Sequence, residues 1–422
     1  MADARPAQHA YSPPMHPSLH TLRPSHRPSL LRAPDPQGHA KVSFAELFFD
    51  LVFVFAVTQL SHRLIGHFSL AGVAQTLFLM LAVWWVWVFT SWVTNWLDPD
   101  LTPVRACLFL FMLLGLMMSG AIPDAFDDRA LMFAGSYTAI QVGRTVFFLW
   151  AARGGHASLV RNFQRMLVWL ATSAVLWWCG ALEETWRLPC WVAALSLEYV
   201  APSLGFAVPG LGRSATSDWN VSGGHLAERC ALFVIIALGE SLLVTGATFS
   251  AHAITAASAL AFVVAFAGSL ALWWLYFDTT NEFATGRIAH SQDPGRLARL
   301  SYTYLHLLIV AGIIVNAAGD EFVLAHPLGH TSLQTAVCVL GGFGLYILGV
   351  GLFKWSVMGR WPWSHAVAIG SLAVASPWVQ AWPPVLTSAF ACLVLVILAA
   401  WERHTRAACV PQVPVARTPP VA

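Results

Sequence analysis

Apolar runs of about 18–25 residues recur along the chain, separated by short polar or Gly- and Pro-bearing connections. Each is long enough to cross a hydrocarbon core of about 30 Å as a helix rising 1.5 Å per residue. The runs fall near residues 45–66, 72–94, 104–122, 131–151, 162–181, 188–208, 225–247, 253–277, 300–319, 332–353, 363–381 and 384–402. The pattern predicts an all-α integral membrane helical bundle of about twelve spans. Residues 1–40 contain eight prolines, five histidines and no apolar stretch, so a disordered tail precedes the first span. A second disordered tail follows over 403–422, and the spans divide into units at 41–208 and 209–402.

Composition removes the alternatives. A chain of 422 residues that is 57% hydrophobic and 10% charged lacks the charge a water-facing surface needs. Twenty Trp against two Lys, Lys41 and Lys354, fit the preference of indoles for membrane interfaces. A net charge of +2 gives no reason to expect a nucleic-acid partner. Seven cysteines lie scattered, mostly inside apolar runs, which excludes a disulfide framework and paired zinc-ligand spacing. Cys179 and Cys190 bracket a short polar segment; the expectation is that they are packing residues and stay unpaired.

Basic residues segregate when the runs are threaded in alternation. Arg153, Arg161, Arg165, Arg213, Arg287, Arg296, Arg299, Lys354, Arg360 and both tails fall on one side, and Arg63, Arg129 and Arg187 on the other. The second side is acidic instead, with Asp124, Asp127, Asp128, Glu183, Glu184, Asp320 and Glu321 in its connections. The positive-inside rule then predicts both termini on the cytoplasmic side of the membrane.

The two units match in order. Glu46 to Val57 parallels Glu228 to Leu238; Trp84-Trp85-Val86-Trp87 with Thr94-Asn95 parallels Trp273-Trp274-Leu275-Tyr276 with Thr280-Asn281; Pro123-Asp124 with Phe126 parallels Gly319-Asp320 with Phe322. Units of six spans share an orientation, so the expectation is two parallel repeats related by an axis along the membrane normal.

The run from Val42-Ser43-Phe44-Ala45-Glu46-Leu47-Phe48-Phe49-Asp50 through Thr58-Gln59-Leu60-Ser61-His62 closely resembles the opening signature of the bacterial low temperature requirement A family. His225-Leu226-Ala227-Glu228-Arg229 with Leu238-Gly239-Glu240-Ser241 resembles its second signature, and Thr94-Asn95 with Asp98 a third. The resemblance covers about 41–400, with a departure at Cys230-Ala231, where an aromatic or polar residue and then Gly are expected. It implies a polytopic membrane protein linked to growth in the cold, and no reaction or substrate.

Polar groups inside spans are expensive, about 2.5–3.5 kcal/mol each for a charge on insertion scales, so each needs a reason. Glu46 and Asp50, four apart, share a helix face, with Ser61 on a similar azimuth and His62 closing the motif. His225, Glu228, Arg229, Gly239 and Glu240 fall within about 120° of arc at 100° per residue. Asn95, Arg144 and Glu198 complete the candidate cavity-lining set, Glu198 being followed by Pro202, which breaks the local hydrogen-bond ladder. For Glu46, Asp50, Glu228 and Arg229, structural pairing across the repeat interface explains the residues as well as a functional role does. Glu240 is too deep for snorkelling and points to a cavity shared with Glu46 or Asp50. His306 and Asn316 read as satisfied core polars.

Motifs H-E-x-x-H, G-x-S-x-G and the phosphate-binding loop are absent from the sequence, and His225 with Glu228 alone is too weak a pair to assign a metal. No catalytic residue, metal or cofactor is assigned. The reading is a proton- or cation-coupled transporter or channel for an unknown small solute or ion, in contact with the lipid bilayer. A membrane enzyme acting near the cytoplasmic interface and a non-catalytic regulator of cold growth remain open alternatives.

Overall fold

The structure, a computed structural model, describes residues 29–32, 41–153, 157–215, 222–278 and 294–409. Thr280, Asn281 and Arg287, and most of both tails, lie outside the described residues. Helices α1 (Phe44–Gly66), α2 (Leu70–Trp96), α3 (Thr102–Ala121), α4 (Ala130–Ala151), α5 (Ala157–Leu182) and α6 (Glu184–Val200) form the first unit. The second comprises α7 (Gly223–Ala251), α8 (Ala256–Tyr276), α9 (His306–Ala325), α10 (Leu333–Met358), α11 (Trp363–Ala375) and α12 (Pro384–Cys409). A π-helical stretch, Ala298–Leu305, leads into α9. No strand occurs among the described residues, only isolated bridges.

Local chemistry sets the boundaries. Ser43 caps α1 in a reciprocal capping box with Glu46; Ser69, Ser222 and Ser332 accept from backbone N–H groups at the starts of α2, α7 and α10. Gly359 ends α10 in the left-handed conformation at φ 73°, where a side chain would be strained. Pro202 does not interrupt a span as expected: the helix stops at Val200 and the chain turns through 201–206. The eleventh run likewise shortens to thirteen helical residues.

Among the described residues, nine helices are long and apolar enough to cross a membrane. The exceptions are α4, which carries Gln141 and Arg144, α6, which has seventeen residues and starts at Glu184, and the short α11. Within the first unit α1 packs on α2 and α3, and contacts then run from α3 to α4, α5 and α6 in turn. In the second unit α7 packs on α8 and α9 and contacts run from α9 to α10, α11 and α12 in turn. Here α12 also packs closely on α8, where the described residues of the first unit show no comparable contact between α6 and α2. Contact between units runs through α1 and α2 against α7 and α9. α1 and α7 are parallel, since Asp50 meets Arg229 at one level and Thr58 meets Glu240 further along both. The end where α1 and α7 begin is called basal below, and the other distal.

Close approach of α9 and α10 depends on glycine. A Cβ at Gly312 would stand 2.6 Å from the Tyr346 backbone nitrogen, and one at Gly342 2.6 Å from that of Asn316. Helices in lipid associate by such packing because hydrocarbon supplies no hydrophobic drive between them. Gly342→Val is therefore expected to destabilise the protein by roughly 1–3 kcal/mol through overpacking. Gly341→Val, where nothing lies within 4 Å, should be nearly silent when the two are compared by thermal unfolding in detergent.

Candidate functional site

The basal ends of α1, α2 and α7 enclose an ion cluster. Ser43 anchors the first turn of α1, which turns Glu46 and, one turn on, Asp50 inward; both are fully buried. On α7, His225 and Arg229 have the same spacing and burial. Arg229 lies 3.0 Å from Glu46 Oε1 through Nη1 and donates through Nη2 to Asp50 Oδ1 at 2.5 Å. Trp87 Nε1 donates to the same Asp50 oxygen at 2.7 Å, and its ring lies 5.9 Å from the Arg229 guanidinium. Asn95 accepts from the Ser222 N–H at 2.8 Å and donates to the Ser222 carbonyl at 2.9 Å, which fixes its amide orientation. Its Nδ2 therefore faces His225 Nδ1 at 3.4 Å, so Nδ1 accepts and Nε2 carries the proton donated to Glu46 Oε1 at 3.0 Å.

Arg32 completes the cluster. Residues 29–32, assigned by composition to a disordered tail, lie against the end of α2: Arg32 N donates to Trp96 O at 2.8 Å and Asp98 N to Leu30 O at 3.0 Å. Arg32 Nη2 then reaches Glu46 Oε2 at 2.9 Å while Nε donates to Thr94 O at 2.8 Å. With His225 neutral, Arg32 and Arg229 balance Glu46 and Asp50. A buried set of charges is stable only under such balance, because each ion's desolvation must be offset by a partner. Among the described residues Asp50 Oδ2 and Arg229 Nε and Nη1 have no hydrogen-bond partner, so the Nη1 contact with Glu46 is an ion pair only.

Glu228 does not join this set. It sits at the edge of the arc shared by His225, Arg229 and Glu240, and there its side chain is exposed. Ring packing closes the cluster on its distal side: Phe233, one turn beyond Arg229, lies 4.3 Å from Trp87 and 5.8 Å from Trp84 between ring centroids. Phe53 and Val57 on α1 are buried at the same stage.

Beyond this apolar layer α1 and α7 become polar again. Glu240, 6% exposed, accepts a hydrogen bond from Thr58. It has no ion-pair partner among the described residues. A cavity of about 610 Å³ opens from it, lined by Thr58, His62, Glu240, Thr248, His252 and Glu321 together with apolar positions of α7 and α9. From Glu240 to His252 is twelve residues, about 18 Å of helix, so the cavity is a vestibule reaching from mid-helix to the distal end. Neither Glu46 nor Asp50 lines it. The expected shared cavity is instead two polar zones on one pair of helices, divided by Trp84, Trp87 and Phe233.

Arg144 and Glu198 form a separate network inside the first unit. Glu198 receives Tyr137 OH at 2.6 Å, Gln141 Nε2 at 2.8 Å, Ser173 Oγ at 2.5 Å and Trp177 Nε1 at 3.2 Å. Arg144 donates to Thr90 Oγ1 at 3.0 Å, Val86 O at 3.2 Å and the oxygen of Gln141. Four donors from α4 and α5 saturate the α6 carboxylate, so this network pins helices together. His306 is satisfied too, Nδ1 donating to Ser301 O at 2.8 Å and Nε2 accepting from Tyr276 at 2.7 Å. Asp320, which the end of the ninth apolar run at 319 puts in a connection, is buried inside α9 and accepts from Asn316 Nδ2 at 3.0 Å. Cys179 and Cys190 are free. Among the described residues no group of three or more His, Cys, Asp or Glu is placed to hold a metal ion.

Arg32, Thr58, His252 and Glu321 were not singled out by sequence. The signal for Arg32 is the Leu30-Leu31 pair, unusual in a Pro-rich tail; that for Thr58 is its azimuth, 80° from Asp50 after eight residues.

Residues 41–400 match the family described as bacterial low temperature requirement A protein. An uncharacterized protein of Rhizobium meliloti (strain 1021) is 38% identical over 363 residues, covering 86% of this chain and 89% of that one. No solved structure matches.

Proposed function

Because the chain belongs to the bacterial low temperature requirement A family, whose description assigns no substrate, we propose from its own site that it is a proton- or cation-coupled transporter or channel. One observation carries the proposal: Glu240, buried and bonded by a single hydroxyl, stands at the floor of the distal vestibule. Packing alone requires neither a deep carboxylate without a cation nor the space beside it. In this reading the vestibule is loaded from outside, and the aromatic layer with the ion cluster shuts the cytoplasmic side. Opening the basal side requires the Arg229 pairs to separate while a coupling ion or proton neutralises Glu240, which is alternating access about a mid-membrane site.

The reading includes twelve spans in two parallel six-helix repeats, with both termini in the cytoplasm of the bacterial inner membrane. The parallel course of α1 and α7 and the sequential packing from the third to the sixth helix of each half support the repeat. The segregation of basic residues supports the orientation.

Access is the direct test. Ala247 lines the vestibule and is exposed, so Ala247→Cys, in a background lacking the seven native cysteines, should react in intact cells with a membrane-impermeant cationic thiol reagent. The same reaction should block flux in reconstituted vesicles. Labelling only from the cytoplasmic side, or full flux after labelling, would reject the outward-facing vestibule as the route.

A further inference from the structure

The vestibule is far larger than a coupling ion needs. About 610 Å³ corresponds to on the order of twenty water volumes of ~30 Å³ and lies in the range of small-molecule sites rather than ion sites. Its fixed charge is acidic: Glu240 and Glu321 line it, His62 and His252 stand on its wall, and among the described lining residues there is no Lys or Arg. Much of the remaining wall is apolar, formed by Leu243, Val244, Ala247, Ala251 and Ala325. A bare metal cation or proton gains nothing from such a wall, whereas a molecule with a charged head and an apolar body uses both parts.

The head group follows from the floor. Glu240 offers carboxylate oxygens, and the one hydroxyl hydrogen of Thr58 is taken up by two acceptors, Glu240 and the Val54 carbonyl at 3.1 Å, leaving the Thr58 lone pairs as acceptors. The site thus asks its ligand for N–H donors. Quaternary ammonium ions carry none and are held instead by aromatic cages; no Trp, Tyr or Phe is among the residues lining the vestibule. We propose that the vestibule binds a small organic cation, a primary ammonium with a short apolar chain, its head on Glu240 and Thr58 and its chain along the α7 wall.

This rests on the transport reading of the same site, and the test separates the two. Full-length protein in detergent is titrated calorimetrically with n-butylammonium, methylammonium, tetramethylammonium, butyrate and sodium. Saturable binding is expected for n-butylammonium, with tetramethylammonium and butyrate inert. Glu240→Gln should weaken it about 10–100-fold, the loss of a charge-assisted hydrogen bond. Ala247→Phe, a change at an exposed wall position that leaves the buried core untouched, should weaken n-butylammonium while sparing methylammonium. Sodium binding that depends on Glu240, with no n-butylammonium binding, would overturn the organic-cation class and leave ion transport standing. Binding of any probe unaffected by Glu240→Gln, or no binding of any cation, would remove Glu240 as a ligand site and both readings with it.

Discussion

Arg229→Gln should lower the stability of the protein by about 3–5 kcal/mol, the cost of breaking a buried ion pair by removing one partner. Arg229 is fully buried and lies within 3.0 Å of Glu46 and 2.5 Å of Asp50, so its removal leaves two carboxylates facing only Arg32 and a neutral imidazole. The net charge of the cluster falls from zero to −1. Adding Asp50→Asn restores neutrality, keeps the Arg32–Glu46 pair and retains a hydrogen-bond acceptor for Trp87. The double variant should therefore recover most of the loss. Unfolding of the two single variants and the double in detergent gives the coupling directly as a double-mutant cycle. A single Arg229→Gln variant within about 0.5 kcal/mol of the parent would show that the cluster does not hold the basal ends together. The recovered double variant is also informative for mechanism. If the cluster only holds helices, it should transport normally; if it is a gate, it should fold and fail to cycle.

Much of this cluster was legible because charge inside an apolar run stands out. Glu46 and Asp50 one turn apart, and His225 and Arg229 one turn apart, define two inward stripes, and their meeting follows once α1 and α7 pack in parallel. Glu228 failed because helical azimuth alone does not reveal where the covered arc ends, and it falls at the uncovered margin. Arg32 was hidden because its partners lie in three other parts of the chain and no local periodicity marks a docked tetrapeptide. Pro202 is not a break within a span: α6 ends at Val200, and with only Ala201 between them Pro202 sits in the turn that follows. Asp320 falls just past the ninth apolar run, which ends at 319, yet Gly319 packs closely against Val339 on α10 and the helix continues through it. Hydropathy treats Thr58 as a weak interruption, and nothing in α1 alone shows that its hydroxyl meets Glu240. The expectation of one cavity joining Glu240 to Glu46 or Asp50 failed for a related reason: a shared azimuth does not say what fills the roughly 16 Å between Arg229 and Glu240. Trp87 and Phe233 fill it, and ring contacts between α2 and α7 are tertiary facts.

Glu240→Gln should abolish coupled flux while leaving the fold intact, and the reasons for expecting both together are independent. The fold should survive because glutamine preserves size and can still accept from Thr58, the single hydrogen bond that Glu240 makes among the described residues. No ion pair is broken by the change, in contrast to Arg229→Gln, so the cost should stay within about 1 kcal/mol. Flux should fail because an amide neither titrates nor neutralises a cation. The site then has no difference in affinity between its loaded and unloaded states, and a ligand that does not distinguish two conformations cannot shift them. The measurement is uptake into vesicles under an imposed pH or cation gradient, with parent, Glu240→Gln and Glu240→Asp reconstituted at equal density. Aspartate keeps the charge but retreats from Thr58, so reduced flux with retained gradient dependence is expected. The aspartate variant thus reports on charge where glutamine reports on its loss. Parental uptake by the glutamine variant, with unchanged gradient dependence, would return Glu240 to a packing role and leave the vestibule without a transport function.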